Sequence, residues 1–461
     1  MSCLWDYIAP AGAAIRGEFH GRAGSVALAE LAFGSTLGTA LESLRGRSVL
    51  IATHEQLPTA LALIELDGVA RRMVLCTPDL TAEQLAAVAA TAEADAIIVD
   101  AGSSIAMPAT LSPYAVTPQP IPAGLKRRAS EATEWILLTS GTTGTPKLVV
   151  HNLQSLGGAL PNRAQAAAPV IWSTFYDIRR FGGLQIYFRA VLTGSPLVLS
   201  SSGEPIVQFL GRAAALGVTH ISGTPSHWRR ALMSGEAAVL EPQYVRLSGE
   251  VADQTLLDSL RAVYPNARIA HAFASTEAGV AFDVNDGLAG FPLAFIDNAA
   301  AGIELKVVDH TLRIRSGRNA ARYLGKTPNV LVSDDGYVDT GDMVELVDGR
   351  YYFRGRMGGV INVGGLKVYP EEVESVLNAD PRVRMSLVRA RRSPITGAVV
   401  VADVVLADPA SPAASDMPDL VKNDLLEACR RTLAAHKVPA MLRFVPALEF
   451  TSAGKLVRPN V

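Results

Sequence analysis

The sequence predicts an α/β protein with a large N-terminal domain of parallel or mixed sheets and flanking helices, followed by a small C-terminal α+β domain. Three observations predict this class. Apolar strands alternate with helical segments in the first half, short strands dominate after residue 303, and a helix–strand–strand–helix order follows residue 370. The chain has 461 residues, which is long for a single core, so two or more domains are expected.

The first alternation lies between residues 48 and 101. We predict strands at Val49–Ala52, Arg72–Cys76 and Ala96–Val99, with helices at Leu57–Leu66 and Ala82–Ala92. Alternation of this kind implies a parallel sheet covered on both faces. A Pro-rich segment, Ser112–Pro122, is predicted to be a connector.

The pattern then changes along the chain. Helices at Ile206–Leu216 and Gln254–Val263 separate predicted strands at Val218–Ile221, Tyr244–Leu247 and Ala267–Ala270. Ile303–Val308 and Thr311–Arg315 are short strands joined by turn residues, so this part is expected to be mostly antiparallel. The C-terminal unit is predicted to contain helix Glu371–Leu377, strands Met385–Arg389 and Val399–Leu406, and helix Leu420–Ala435.

Composition excludes several classes of function. A net charge of −2 with 19% charged residues gives no electrostatic basis for nucleic-acid binding. Cys3, Cys76 and Cys429 match neither a metal-ligand spacing nor a disulfide framework, which favours a reducing compartment. The N-terminus lacks a basic segment followed by an apolar one, and no apolar run approaches the ~18 residues of a membrane span. We therefore expect a cytoplasmic protein without a membrane or nucleic-acid partner.

The strongest chemical signal is the run Leu138–Lys147, directly after the apolar Trp135–Leu137. It holds two glycines, five hydroxyl-bearing residues and a lysine. Glycine lets backbone N–H groups approach an anion, hydroxyls add donors, and lysine adds a compact positive charge. The run therefore predicts a phosphate-binding loop formed by Thr139, Ser140, Gly141, Thr142, Thr143, Gly144 and Lys147.

This loop differs from the common nucleotide-binding loop, which needs Gly-Lys-Ser/Thr at the start of a helix. Pro146 disfavours helical geometry at Thr145, and Leu148–His151 favour a strand. A strand–turn–strand arrangement is predicted. A Gly/Thr-rich turn occurs in proteins of any function, but this density with a terminal lysine favours phosphate binding.

The loop resembles the signature loop of the adenylate-forming superfamily, which includes acyl-CoA synthetases, nonribosomal-peptide adenylation domains and luciferases. Four further segments continue the resemblance in order. They are similar to the aromatic-Gly-x-Thr-Glu, Thr-Gly-Asp, Gly-Arg and terminal Gly-Lys motifs, and they lie at His271–Glu277, Gly336–Asp342, Gly355–Glu374 and Phe450–Arg458. The resemblance implies a large domain with an antiparallel sub-barrel over 1–356 and a small mobile lid domain over 357–461.

The same resemblance implies an ATP site. Phe273 would lie against adenine, Thr276 would hold the α-phosphate, and Asp342 would accept both ribose hydroxyls. Glu277 would bind Mg²⁺, a hard cation that prefers carboxylate oxygen. The family has tyrosine at Phe273 and glycine at Ala274, and an Asp/Gly-rich turn is the alternative interpretation of Gly336–Asp342. The remaining implied ATP contacts are Ser248, Gly249, Glu250, Ala272 and Arg356.

The two C-terminal motifs imply domain movement. Lys455 would bridge the substrate carboxylate and the α-phosphate, although a lysine near a chain end is ordinarily just solvated. Gly358 stands at the family hinge, where aspartate or lysine is usual; glycine can absorb the backbone change of a rotation. Gly364 and Gly365 resemble the acyl-CoA synthetase loop that lines a channel for a thiol.

The acid pocket is implied by alignment with the family. Its predicted residues are Tyr176, Asp177, Gly182, Gly183, Thr224 and Ala274. Asp177 can pair with a substrate amino group, and Arg179 or Arg180 with a second carboxylate, but ion pairs among such residues are the commoner outcome. The pocket is interpreted as suited to an aromatic or medium-sized acid.

Three hypotheses of function follow. The first is an AMP-forming ligase that uses ATP, Mg²⁺ and coenzyme A to convert a small carboxylic acid to its thioester through an acyl adenylate. The second is a stand-alone adenylation enzyme that passes the acyl group to an acyl carrier protein or an amine. The third, a non-catalytic nucleotide-binding protein, predicts lost catalytic groups, whereas Lys455, Glu277 and Asp342 are all present. A monomer or homodimer is expected.

Overall fold

The computed structural model describes residues 3–8, 17–103, 107–117, 119–122, 129–139, 146–157, 169–300, 302–325, 331–393, 396–407, 418–451 and 454–458. Strands and helices are numbered along the chain. Over these ranges the protein is a mixed α/β structure, which confirms the predicted class. Two large sheets, a five-stranded antiparallel sheet and a smaller C-terminal unit make up the architecture.

The first large sheet contains the predicted alternation. Its described strands, in spatial order, are β20 (Arg322–Leu324), β10 (Lys147–His151), β9 (Glu134–Thr139), β5 (Arg72–Leu75), β4 (Ser48–Ile51), β6 (Ala96–Asp100) and β7 (Ser112–Val116). Strands β9 to β7 are parallel. Val49 and Ile51 share a core with helix α3 (Gln56–Leu66), whereas Leu50 shares one with α4 (Ala82–Thr91). Because alternate strand residues face opposite sides, this confirms the sheet covered on both faces.

The predicted connector Ser112–Pro122 is wrong in part. Ser112–Val116 form the edge strand β7, parallel to β6, and Ile121–Pro122 (β8) pair with Gly34–Ser35 (β3). Proline cannot donate to a ladder but is tolerated in an edge strand. The proline content therefore indicated a loop where the chain forms a sheet edge.

The second large sheet lies across a helical layer from the first. In spatial order its described strands are β16 (Gly279–Val284), β15 (Arg268–Ser275), β14 (Tyr244–Ser248), β13 (His220–Gly223), β11 (Trp172–Thr174), β12 (Leu197–Leu199), β1 (Glu18–His20) and β2 (Ser25–Ala27). Helix α6 (Phe181–Thr193) and α3 fill one shared core between the sheets. The other face is covered by α7 (Ile206–Ala215), α8 (Pro225–Met233) and α9 (Gln254–Val263). The predicted strand at Val218–Ile221 begins two residues later, at His220.

The segment after Ile303 is antiparallel, as predicted. Its described strands are β17 (Phe291–Pro292), β22 (Arg350–Arg356), β21 (Val338–Val347), β19 (Thr311–Ser316) and β18 (Ile303–Val308), in spatial order. Four short helices complete the large part: α1 (Trp5–Ile8), α2 (Ala40–Ser43), α5 (Leu153–Gly157) and α10 (Ala294–Asp297).

The C-terminal unit has its own hydrophobic core. It contains the hairpin β23 (Ile361–Val363) and β24 (Leu366–Val368), helix α11 (Pro370–Asn378), strands β25 (Val383–Ser393), β26 (Gly397–Leu406) and β27 (Met441–Phe444), and helix α12 (Pro418–Thr432). The predicted helices and strands of this unit are therefore present. The division at residue 356 remains a prediction, although the structure enters a new hairpin directly after β22.

No helix within the described ranges is both long and apolar enough to cross a membrane. The three cysteine thiols are buried and free.

Candidate active site

Two paired strands carry the predicted phosphate loop. Thr139, at the end of β9, lies opposite Lys147, at the start of β10, in an antiparallel register. Ser140, Gly141, Thr142, Thr143 and Gly144 lie outside the described residues. The flanking strands are those that a strand–turn–strand arrangement requires. The ammonium nitrogen of Lys147 lies 5.4 Å from the centroid of the Tyr323 ring.

Tyr323 links that lysine to the predicted magnesium ligand. Its hydroxyl lies 3.5 Å from Oε1 of Glu277. Burial, together with the Glu277 charge, raises the pKa of Tyr323 to about 12, so the phenol stays protonated. Among the described residues no shorter hydrogen bond or ion pair to the Glu277 carboxylate is found, so this group keeps lone pairs for a ligand.

This arrangement fits a magnesium ion shared with a nucleotide. Mg²⁺ is usually held by one or two carboxylates together with phosphate oxygens and water. Among the described residues no group of three or more His, Cys, Asp or Glu could hold a metal ion. A magnesium site here would therefore depend on Glu277 and on oxygens supplied by ATP.

The Thr276 backbone is anchored from the other sheet. The register of β15 against β16 shifts between Phe273 and Ala274, and a bulge of this kind re-aims the residues that follow it. Nε2 of His151 donates to the carbonyl oxygen of Thr276 at 2.7 Å, and Nδ1 lies 2.9 Å from the Ser155 hydroxyl. Burial lowers the pKa of His151 to about 4, so the imidazole is neutral near pH 7.

Phe273 belongs to an aromatic cluster. Its ring stacks on Phe353 at 5.0 Å with an interplanar angle of 7°, and on Phe282 at 5.8 Å. Contact of this ring with adenine stays a prediction. Its neighbours Ala272 and Ala274 lie opposite Asp283 and Val280 on β16.

Asp342 and Arg356 face each other across strands β21 and β22. Nε of Arg356 lies 3.1 Å from Oδ1 of Asp342, and burial raises the pKa of this carboxyl group. The predicted hinge follows Arg356 directly. A Cβ added to Gly358 would meet no atom within 4 Å, so packing does not explain the glycine there.

The loop that carries Lys455 is seated on the start of α8. The Thr224 hydroxyl donates to the carbonyl oxygen of Gly454 at 2.9 Å. Gly454 has φ +69°, and a Cβ there would lie 1.9 Å from Nε2 of His227. Only glycine can occupy this position with the loop in place. The contact directs Lys455 into the cleft between the large part and the C-terminal unit.

Lys455 approaches Gly249, one of the ATP contacts that the family resemblance implies. Its Cε and Nζ lie 3.4 and 3.7 Å from the position that a Cβ on Gly249 would take. Lys455 is exposed to solvent, yet the protein around it lowers the pKa of its ammonium group, and so do Arg356 and Arg180. Glu250 and Asp342 oppose that shift.

Glu250 also fixes the local geometry. Its carboxylate accepts from the Ser226 backbone N–H at 2.9 Å and from the Ser226 hydroxyl at 3.0 Å, at the first turn of α8. The backbone N–H of Leu456 approaches the same carboxylate at 3.4 Å. A carboxylate is stabilised at a helix N-terminus, so Glu250 serves both the helix and the Lys455 loop.

The C-terminal segment is tied to its own unit by Arg458. The guanidinium group contacts Glu374 at 2.8 Å and Glu371 at 3.4 Å, both on α11. These acids raise the pKa of Arg458 above its ordinary value, although burial opposes them. Arg458 therefore ties the segment that follows Lys455 to helix α11.

The predicted acid pocket is partly brought together. The Tyr176 hydroxyl donates to the carbonyl oxygen of Ser248 at 2.7 Å, and a Cβ on Gly182 would lie 3.4 Å from the Tyr176 ring. A Cβ on Gly183 would lie 2.3 Å from the Asp177 carbonyl oxygen, so Gly183 allows a close backbone approach. Thr224 caps α8.

Asp177 does not present a free charge. Arg179, which is buried, contacts its carboxylate at 2.6 Å and also donates to the Thr53 carbonyl oxygen. This pair lowers the pKa of Asp177 despite burial. Arg180 pairs with Asp79 at 3.1 Å. Pairing of Asp177 with a substrate amino group, or of Arg179 with a substrate carboxylate, is therefore not supported, because these side chains already neutralise each other.

Gly364 and Gly365 form the two-residue turn between β23 and β24, with φ of +58° and +87°. Positive φ at both central positions favours glycine in such a hairpin turn. The turn explains the glycines structurally, and their contact with a thiol stays a prediction.

Sequence reasoning missed four residues of the site: His151, His227, Tyr323 as a site residue, and Arg458. Each acts through a contact between distant segments, and none stands in a local pattern that separates it from an ordinary core or surface residue.

The chain belongs to the AMP-binding enzyme family of the adenylate-forming superfamily. The family model described as "AMP-binding enzyme" matches residues 45–319, and the one described as "AMP-binding enzyme C-terminal domain" matches residues 372–455.

Similar proteins are acid ligases and related enzymes. The chain is 29% identical to a 2-succinylbenzoate--CoA ligase of Salmonella typhimurium over 281 residues, 57% of each protein. A crystal structure of the anthranilate CoA ligase AuaEII matches with TM-score 0.82 at 17% identity, covering 99% of this chain and 95% of that one. The amide bond synthetase McbA from Marinactinospora thermotolerans matches with TM-score 0.75 at 19% identity, covering 98% and 97%. The chain spans about half to three fifths of the length of the curated relatives it matches.

Proposed function

We propose that the protein is an AMP-forming carboxylic acid ligase that converts an aromatic or medium-sized acid to an acyl adenylate and transfers the acyl group to the thiol of coenzyme A. The observation that carries this proposal is the position of Lys455, which lies against Gly249 in a cleft also bordered by Asp342 and Glu250. A cation at this point can stabilise two anions that must approach each other.

In the first half-reaction the substrate carboxylate attacks the α-phosphorus of ATP. A bond forms between a carboxylate oxygen and phosphorus, and the bond to the bridging oxygen of pyrophosphate breaks. Catalysis of this step needs positioning and charge neutralisation more than covalent chemistry. Lys455 would bridge the two reacting anions, while Thr276 would orient the α-phosphate and Lys147 would attract the departing pyrophosphate. A magnesium ion held by Glu277 would supply further neutralisation of phosphate charge.

In the second half-reaction a thiolate attacks the acyl carbon and AMP leaves. Lys455 must first withdraw, because its loop covers the start of α8. Rotation of the C-terminal unit about Gly358 would remove it and bring the Gly364–Gly365 turn toward the site. Coenzyme A is the acceptor we favour, since this turn is similar to that of acyl-CoA synthetases.

A second candidate acceptor is an amine or the phosphopantetheine of a carrier protein. The likeness to an amide bond synthetase is the observation that favours testing it. The two acceptors share the first half-reaction and differ only in what releases AMP.

The test is an ATP–pyrophosphate exchange screen over aryl, acyl and amino acids, followed by mass detection of products with coenzyme A, an amine or a carrier protein. Acid-dependent exchange and an acyl-CoA product are expected. Nucleotide binding without exchange for any acid would indicate a non-catalytic protein, and AMP release that depends on a carrier or amine but not on coenzyme A would select the second acceptor.

A further inference from the structure

A cavity of about 140 Å³ lies between α6 and the edge strand β16. Its lining includes Gln185, Arg189, Val280, Phe282, Asp283 and Arg318. This volume exceeds the roughly 30 Å³ that one water molecule occupies, so the cavity has room for a group of several atoms. The lining combines two arginines with a single acid.

The arginines of this cavity lack acidic partners within the described residues. Nε of Arg189 is buried without a hydrogen-bond acceptor, and its guanidinium group lies 5.6 Å from the Trp172 ring. Arg318 donates to the carbonyl oxygen of Val280 at 3.2 Å. The one lining acid, Asp283, is engaged by Arg246 at 2.8 Å. The cavity therefore carries an excess of positive charge.

Such an excess is costly unless an anion offsets it. Burial removes water from both guanidinium groups and thereby lowers the pKa of Arg189 and of Arg318. Arginine nevertheless remains charged in proteins, so the positive charge stays in the cavity. A guanidinium group presents its donors in a plane that matches a carboxylate. Carboxylate is thus the chemistry that the cavity fits best.

The cavity and the predicted acid pocket are built on the same helix, α6, and on the same strand pair, β15 and β16. Gly182, Gln185 and Arg189 lie at i, i+3 and i+7 on α6 and therefore share one helix face, with Arg189 about 10 Å along the axis from Gly182. On the facing strand, Val280 pairs directly with Ala274, another predicted pocket residue. The same helix face and strand pair thus lead from the pocket into the cavity.

We propose that this cavity binds a second carboxylate on the acid substrate, with Arg189 as its main partner and Arg318 as the second. The preferred substrates are then dicarboxylic acids in which one carboxylate is activated and the other is held at the far end. This inference rests on the proposed function. From the sequence, Arg179 or Arg180 is a candidate partner of a second substrate carboxylate. Because Arg179 pairs with Asp177 and Arg180 with Asp79, we assign that role to Arg189 and Arg318 instead.

The experiment compares matched acids in ATP–pyrophosphate exchange. Benzoic acids with carboxymethyl or carboxyethyl arms, and aliphatic diacids of increasing length, are each paired with the terminal mono-amide, which keeps shape and removes the second charge. For the best pair, the wild-type kcat/KM is expected to be about 10- to 100-fold higher for the diacid, the range for a hydrogen bond to a charged group. At equal concentrations the diacid is expected to raise the unfolding temperature more than its mono-amide, because the tighter ligand stabilises the folded protein more.

Arg189→Gln and Arg318→Gln are expected to lower kcat/KM for the diacid far more than for the mono-amide, and so to remove most of this preference. Arg189→Lys should retain part of it. Arg430→Gln, which removes an exposed guanidinium paired only with Glu427 among the described residues, is the matched control and should retain all of it. The unfolding temperature of each variant shows whether it is folded. If one of the two glutamine variants is unfolded, the test rests on the substrate preference of the other.

The outcomes separate the two proposals. Exchange with mono-acids but no preference for any diacid, or a preference that survives both glutamine variants, overturns the second-carboxylate site and leaves the ligase proposal standing. Exchange with no acid at all overturns both.

Discussion

His151 Nε2 lies 2.7 Å from the backbone carbonyl oxygen of Thr276, so a strand that leaves the phosphate loop directly holds the backbone of the predicted α-phosphate contact. The two residues are 125 positions apart: His151 ends β10 in the first large sheet, and Thr276 follows directly after β15 of the second. The contact fixes one predicted phosphate-binding segment relative to the other, which makes His151 a positioning residue for the proposed adenylation step.

Replacing His151 tests this role. His151→Ala removes the donor to Thr276 and is expected to lower kcat for acid-dependent pyrophosphate exchange by about 10-fold or more, because misplaced groups lose catalytic alignment. His151→Gln keeps an N–H donor and should retain much of kcat. Steady-state exchange kinetics provide the measurement. Equal losses in both variants, or full activity of His151→Ala, would argue against positioning through this hydrogen bond.

The same residue predicts an acid sensitivity of folding. The pKa of His151 is about 4 in the folded protein, against an ordinary value of about 6.5 in the unfolded chain. As pH falls from 6.5 toward 4 the unfolded chain takes up a proton that the folded protein does not, so the free energy of unfolding falls, by up to about 3 kcal/mol. Below both values the loss is complete.

Denaturant unfolding of wild type and His151→Gln between pH 7.5 and 4 checks this sign. The variant is expected to lose less stability than wild type as pH falls. His54→Gln, at a side chain that is 64% exposed, is the control and should follow the wild-type slope. If the free energy of unfolding of His151→Gln fell with pH as steeply as that of the wild type, the lowered pKa of His151 would be contradicted.

Gly454 predicts a selective defect. In Gly454→Ala the new methyl group would meet His227, and φ of +69° disfavours alanine as well, so the Lys455 loop should leave its seat. Pyrophosphate exchange is expected to fall about 100-fold or more, while preformed acyl adenylate should still react with thiol. Gly302→Ala shares a positive φ, of +78°, but meets no atom within 4 Å, and is the matched control.

Combining Gly454→Ala with His227→Ala tests the steric cause. Removing the imidazole opens the space that the methyl group needs, so the double variant should recover part of the exchange activity that Gly454→Ala loses. Non-additivity is expected between residues in contact. Simple additivity of the two defects would show that the clash with His227 is not what displaces the loop.

Local chemistry made the alternating sheets, the antiparallel segment and the order of the motifs predictable. The paired strands that flank residues 140–145 and the turn at Gly364–Gly365 both follow from local residue preferences that are visible in the sequence. The proline-rich Ser112–Val116 was misassigned because an edge strand needs neighbours to be identified.

Contacts between distant segments were not predictable in this way. Nothing near His151 in the chain indicates that it meets Thr276, and nothing near Gly454 indicates His227. Arg189 lies in a largely apolar helix, and only the packing of other segments around that helix shows that Arg189 faces a cavity. Asp177 and Arg179 are the converse case, since their charges suggested substrate contacts and the fold pairs them with each other.

The most direct test of the proposed adenylation mechanism measures the two half-reactions separately in the Lys455→Ala variant. Acid-dependent pyrophosphate release is expected to be abolished, because Lys455 is the group proposed to bridge the reacting anions, whereas preformed acyl adenylate should react with coenzyme A at close to the wild-type rate. The second half-reaction is thus the internal control for folding. Unchanged pyrophosphate release in Lys455→Ala would contradict the assignment of this lysine and with it the proposed adenylation mechanism.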